Sequence, residues 1–224
     1  MVTGDEPQII YGRRAVAEAE RGRRRVRRRW TSADADADEL TRLAGSPEHQ
    51  GFVAEVDPYP YAGAEALLEP AEALIVALDR IQDPHNLGAI CRSAEAAGAA
   101  GVVVPERHSA SVTAAVCKAS AGAVEHLAVA RVGNLADWLA LAKSAGAWVY
   151  GADAAAEAPH TEADLTGKAV LVLGSEGKGI RPRVRRSCDR LISVPLRGRV
   201  ASLNVSAAAA VLLFESVRQR AGSD

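Results

Sequence analysis

Three observations on this 224-residue sequence predict an α/β protein built on a parallel sheet. Short runs of continuous apolar residues recur along the second two thirds of the chain, at positions 74–78, 101–104, 127–132, 148–151, 170–174 and 191–195. Stretches of helical composition separate most of them, at 89–97, 112–119, 135–145 and 180–187, with a last helix from about 205 to 220. Apart from Arg131 and Ser193 the runs are continuously apolar, as expected of strands covered by helices on both faces of a parallel sheet.

Residues 1–70 differ in character and are expected to form a small α/β domain ahead of a larger one at 71–224. A helix-like stretch at 13–20 leads into the basic run Arg21-Gly22-Arg23-Arg24-Arg25-Val26-Arg27-Arg28-Arg29-Trp30, followed by an acidic stretch at 34–39. A short strand fits 52–56, and Asp57-Pro58-Tyr59-Pro60-Tyr61-Ala62-Gly63 reads as a loop or linker. No internal repeat is present in the sequence.

Composition narrows the function classes. The net charge is −1, so nothing pulls the whole chain toward nucleic acid; any such contact must come from local charge. Between 171 and 200, eight basic residues face two acids, a local charge of +6. The arginine run at 21–29 is a second basic segment, and either could equally be a solvated face. The longest apolar runs fall far short of a membrane span. The opening Met1-Val2-Thr3-Gly4-Asp5-Glu6-Pro7 has no signal-peptide core. Three isolated cysteines form no metal-spaced pair and no disulfide framework, which fits a reducing cytoplasm. The five histidines do not recur at ligand spacing and read as structural or surface residues.

Three blocks carry candidate chemistry. The first, Asp83-Pro84-His85-Asn86-Leu87-Gly88 with Arg92 further on, leaves a strand and enters a helix, where ligands of open α/β sheets sit. Taken alone, it is equally an Asn cap and a surface Arg92–Glu95 pair. The second, Leu173-Gly174-Ser175-Glu176-Gly177-Lys178-Gly179, is a glycine loop between strand and helix that permits close backbone approach to a ligand. Its spacing matches neither the dinucleotide fingerprint nor the phosphate-binding P-loop. The third runs from Ile192-Ser193-Val194-Pro195-Leu196 to Ser202-Leu203-Asn204-Val205-Ser206, where Ser202 or Asn204 also serves as a helix cap.

In this order and spacing the three blocks resemble the three motifs of the SpoU/TrmH (SPOUT) family of RNA 2′-O-ribose methyltransferases, over roughly residues 74–220. Tyr11-Gly12-Arg13-Arg14-Ala15-Val16 and His49-Gln50-Gly51 are similar to the small domain of the branch that methylates guanosine in 23S ribosomal RNA. That domain is of ribosomal-protein L30e type, and here it is abbreviated between Trp30 and His49. The resemblance implies a trefoil-knotted methyltransferase domain, S-adenosylmethionine as cofactor, an RNA substrate, a homodimer, and no DNA or membrane partner. It further implies cofactor contacts by Leu173, Gly174, Ile192, Val194, Leu196 and Leu203. Catalytic roles fall to Asn86, Arg92, Glu176, Ser202 and Asn204. Because an arginine stays charged, with a pKa above about 12, Arg92 is expected to bind a phosphate and polarise the 2′-oxygen rather than act as a free base. Arg23, Arg24, Arg27, Arg181, Arg197 and Arg199 are the candidate RNA contacts. Transfer-RNA methylation, antibiotic self-protection by ribosomal RNA methylation, and a non-catalytic RNA-binding scaffold are the alternatives.

Overall fold

The computed structural model describes residues 6–175 and 177–222. The larger part is a six-stranded sheet of β4 (Leu74–Asp79), β5 (Gly101–Pro105), β6 (Val129–Val132), β7 (Trp148–Ala152), β8 (Ala169–Gly174) and β9 (Arg190–Ile192), in the order β6-β5-β4-β8-β7-β9. Every pairing in it is parallel. The chain runs outward from β4 through β5 to β6, then crosses to build the other half. β4 and β8 therefore meet at the topological switch point, with Asp79 in register with Gly174.

The continuous apolar runs have a direct explanation. Along β4, Leu74, Val76 and Leu78 enter one hydrophobic cluster while Ile75 and Ala77 enter the other. Along β8, Leu171 and Leu173 lie on the first side and Val170 and Val172 on the second. On the first face pack α3 (Pro84–Ala96), α4 (Ala114–Ala119) and α7 (Val205–Ala221); on the second, α5 (Leu135–Ser144) and α6 (Pro182–Ser187).

The N-terminal part is a three-stranded antiparallel sheet of β1 (Gln8–Tyr11), β2 (Val26–Thr31) and β3 (Phe52–Val56), in the order β1-β3-β2. It carries α1 (Arg13–Arg21) and α2 (Ala37–Ala44). The basic run thus holds a strand: Arg27, Arg28 and Arg29 stand exposed on a sheet edge, with an irregularity in pairing between Val26 and Arg28. The acidic stretch starts α2. Asp36 caps it by accepting from the Glu39 amide, and Asp38 and Glu39 oppose the positive end of the helix.

The small sheet and the large one share a single hydrophobic cluster, in which Ile10, Val16, Ala54 and Val56 pack with Val116, Cys117 and Val124. At its centre Arg24 is 4% exposed and bonded to both carboxylate oxygens of Glu125, with Gln8 accepting from its Nη1 at 2.9 Å. The segment read as a linker is tied down along its length. Tyr59 donates to the carbonyls of Val124 and Leu127 at 3.0 and 2.9 Å, Tyr61 accepts from the Val112 amide, and Ala62 pairs with Ala130.

Candidate functional site

The site is assembled at the carboxyl edge of the sheet, beyond β8 and β7. Gly174 ends β8 at a point where any Cβ would overlap the backbone of Gly179 and Ile180, so only glycine fits. The loop then closes on itself through the Gly179 amide, which donates to the Ser175 carbonyl at 2.8 Å. Gly177 and Gly179 take the left-handed conformation, at φ +77° and +61°. Arg181 pins the loop's far end: its backbone amide and its Nε each lie 2.7 Å from the carboxylate of Asp79, which is fully buried. α6 begins immediately afterwards with Pro182 in its first turn, where the missing amide proton costs nothing.

The first block starts earlier than composition alone suggests. Asp83, rather than Asn86, caps α3, accepting from the His85 amide at 2.8 Å. Asn86 therefore lies within the first turn and is 8% exposed. Gly88 lies where a Cβ would collide with Ala119 and Ser120, so the block's glycine serves the close packing of α3 on α4. Asn204 caps α7, its Oδ1 accepting from the Ser206 amide at 2.8 Å, and its Nδ2 donates to Asn86 Oδ1 at 3.0 Å.

The glycine loop, the segment from Ile192 and the start of α7 border an open-sided cavity of about 420 Å³. Leu173, Gly174, Ile192, Val194, Leu196, Ser202 and Leu203 all line it, together with the Gly177–Ile180 backbone and Ala208. The structure thus brings all six residues expected at the cofactor, and Ser202, around one space, with the Asn86–Asn204 contact beside it. A wall that sequence reasoning missed is Ala152-Asp153-Ala154, just past β7, where Asp153 pairs with Arg185 of α6. Its signal was the position after a strand end, but nothing in its composition set it apart. Arg92 lies outside the cavity lining, exposed on α3; among the described residues it makes no ion pair with Glu95. Glu176 lies outside the described residues.

The expected RNA contacts divide. Arg24 is removed from the surface by its buried pair with Glu125, which corrects the expectation for that residue. The guanidinium of Arg181 is held by Asp79 and that of Arg27 by Asp57, while Arg23, Arg197 and Arg199 are exposed. Burial raises the thiols of Cys91, Cys117 and Cys188 to about 12, so none is a thiolate nucleophile near neutral pH. Among the described residues no group of three or more His, Cys, Asp or Glu side chains could hold a metal ion, and no helix is long and apolar enough to cross a membrane.

A parallel sheet with a loop-walled cavity of mixed polar and apolar lining at its carboxyl edge defines a cofactor-binding α/β domain. Residues 73–214 match the model of the SpoU rRNA Methylase family, and the chain belongs to that family of S-adenosylmethionine-dependent RNA methyltransferases. It is 38% identical over 240 residues to a Synechocystis sp. protein named as an uncharacterized tRNA/rRNA methyltransferase, covering 95% of this chain and 62% of that one. It is 46% identical over 178 residues to YacO of Bacillus subtilis, assigned to the TrmH family of tRNA/rRNA methyltransferases, covering 77% of this chain and 72% of YacO. The chain thus spans somewhat under two thirds of the Synechocystis relative's length and somewhat over two thirds of YacO's. Its fold is similar to the SpoU methyltransferase AviRb of Streptomyces viridochromogenes in complex with AdoMet, at 28% identity and a TM-score of 0.80, over 97% of this chain and 91% of that one. An RNA 2′-O ribose methyltransferase structure is similar at 26% identity and a TM-score of 0.81, over 95% and 88%.

Proposed function

We propose that this chain methylates a ribose 2′-hydroxyl of RNA, using S-adenosylmethionine, with guanosine of 23S ribosomal RNA as its target. The observation that carries this reading is the convergence of the second and third sequence blocks on one cavity, with the first block tied to the third by the Asn86–Asn204 hydrogen bond.

The cavity suits the cofactor in size and lining. At about 420 Å³ it lies within the range of about 300–1,000 Å³ usual for small-molecule sites. Leu173, Ile192, Val194, Leu196 and Leu203 offer apolar surface to an adenine ring, and the backbone near Gly174 and Gly179 can read its polar edge. When bound, the cofactor supplies an electrophilic methyl group on a positively charged sulfur. The protein's task is then to align a ribose oxygen with that methyl and to manage one proton. Asn86, Ser202 and Asn204 orient the ribose by hydrogen bonds, and Glu176 fixes the glycine loop or pairs with a basic group. Arg92, permanently cationic, binds an adjacent phosphate and polarises the 2′-oxygen, so the proton leaves late or through that phosphate.

Arg92 stands apart from the cavity in the single chain, and a homodimer completes the site in this reading. Supporting it, Leu203, Val211 and Phe214 are 37%, 37% and 50% exposed along and just before α7, which packs beside α3. The trefoil threading of residues beyond β8 belongs to the same proposal. So do the L30e-like character of residues 1–70, their part in RNA binding, and a cytoplasmic location. Exposed Arg28 on β2, flanked by Arg27 and Arg29 in their pairs with Asp57 and Glu20, supports the RNA role of the small sheet.

Arg92→Ala tests the mechanism. Methylation of ribosomal RNA should fall to background while calorimetry shows S-adenosylmethionine bound as in the wild type. Substantial residual methylation contradicts the role given to Arg92.

A further inference from the structure

A second cavity lies at the same edge of the sheet, across α6 from the first. It measures about 230 Å³ and opens between the carboxyl ends of β4, β5 and β6, lined by Arg80, Arg107, His108, Asn134, Arg181 and Arg183 among others. This is below the lower end of about 300 Å³ usual for small-molecule pockets, and no carboxylate residue lines it. Two acids nearby are already engaged: Asp79 is buried against Arg181, and Asp137 accepts from Arg183 Nη2 at 2.5 Å. Glu106, beside Arg107, is exposed and does not line the cavity. Arg80, Arg107 and His108 are exposed, and among the described residues none of the three makes an ion pair. Arg80 and His108 also hold the left-handed conformation, at φ +64° and +61°, which side-chain-bearing residues rarely adopt. The start of α5 adds little, because Asn134 already accepts from the Ala136 amide. The attraction therefore comes from the side-chain cations.

We propose that this cavity seats a backbone phosphate of the RNA, flanking the nucleotide whose ribose is methylated. The proposal rests on the RNA reading of the first cavity. Guanidinium forks match phosphate oxygens in geometry and charge, and a space of this size admits a phosphodiester rather than a nucleoside. The connection is physical. Gly177, Lys178, Gly179 and Ile180 line the first cavity, and the chain's next residues, Arg181, Arg183 and Val184, line the second. One loop and helix wall both, so a single strand of RNA can reach the two together. Phosphate contacts of this kind set register and affinity and carry no sequence choice.

The test compares the full-length wild type, Arg107→Lys and the double variant Arg80→Ala/Arg107→Ala. A single-stranded oligoribonucleotide is titrated across a salt series, and S-adenosylmethionine binding is measured by calorimetry. In a separate arm the His108 imidazole resonance, assigned with His108→Asn, is followed while inorganic phosphate is added. The double variant should bind the oligoribonucleotide at least about tenfold more weakly. Its salt dependence should be shallower by about 0.7 in log–log slope, the value for one phosphate of a single strand no longer neutralised. Cofactor binding should be unchanged, and Arg107→Lys should fall between the two. Phosphate should shift the His108 resonance in the wild type and not in the double variant. Equal RNA affinity and equal salt slope in wild type and double variant overturn the proposal, as does a His108 signal indifferent to phosphate. If the wild type binds no RNA yet His108 still responds to phosphate, the RNA reading fails and the cavity is a seat for a free anion instead.

Discussion

Asn204 donates from Nδ2 to Oδ1 of Asn86 at 3.0 Å, joining residues 118 positions apart in sequence. Both amides have their orientation fixed by one backbone group. Asn204 Oδ1 must face the Ser206 amide, which can only donate, so its Nδ2 is the atom left for Asn86. One side chain is therefore both the cap of α7 and the tie between the first and third sequence blocks.

Asn204→Asp separates the two roles. The aspartate keeps an acceptor for the Ser206 amide, so thermal stability should stay near that of the wild type, whereas Asn204→Ala should lose about 1 kcal/mol with the cap. Methyl transfer should drop in both variants, because neither can donate to Asn86. An Asn204→Asp enzyme as active as wild type in a labelled-methyl assay would reduce the contact to a capping detail.

Gly174→Ala places a methyl group against the backbone of Gly179 and Ile180, and the loop must open to admit it. Overpacking of this kind costs about 1–3 kcal/mol, and here it also deforms the cavity wall. Calorimetry should show S-adenosylmethionine affinity lost or greatly weakened, with urea unfolding reporting the smaller fall in stability.

Arg24 and Glu125 are both nearly solvent-free and bonded to each other across the joint between the two sheets. Removing either alone leaves a buried charge without its partner, at a cost of about 3–5 kcal/mol. Arg24→Ala and Glu125→Ala should each shift the urea midpoint strongly, and Arg24→Met/Glu125→Leu should recover much of the loss. A rim arginine such as Arg23 should tolerate alanine with little change.

Glu215 sets an acid limit. Hydrogen bonds from Arg218, at 2.9 and 2.7 Å, and then from Gln219 at 2.8 Å, lower its carboxyl to about 2 from an ordinary 4.5. A lowered folded-state pKa means that its stabilisation is complete above about pH 4.5 and is lost as pH falls toward about 2. Gln219 in turn holds α7 to the Ala163 carbonyl and the Leu165 amide. Glu215→Gln should flatten the pH dependence of thermal stability between pH 4.5 and 2. An unchanged slope in that window would show that the pair contributes nothing there.

The large sheet was legible in the sequence because strands buried on both faces must be apolar at every position, as Leu74 to Leu78 are in β4. The cavity was legible in its glycine loop and in the residues around Ile192 and Leu203, which all line it. The small sheet was harder to read. Half of β2 is arginine, since this edge strand has only Val26, Trp30 and Thr31 partly covered and leaves Arg27, Arg28 and Arg29 to solvent. The fate of Arg24 was hidden for a related reason: one buried cation within a run of exposed ones is set by Glu125, 101 residues away. Asp153 and Arg181 were missed or misread because their partners, Arg185 and Asp79, are brought to them only by the fold.

The central claim is that the chemistry occurs on the ribose. Ribosomal RNA and transfer RNA should each be incubated with the protein and S-adenosylmethionine carrying a labelled methyl group, then hydrolysed with alkali. A 2′-O-methyl group blocks cleavage of its own linkage, so the account predicts label retained in an alkali-resistant dinucleotide from 23S ribosomal RNA, at a guanosine. Label recovered on a free base or in alkali-sensitive mononucleotides, or no incorporation into either RNA, would contradict it.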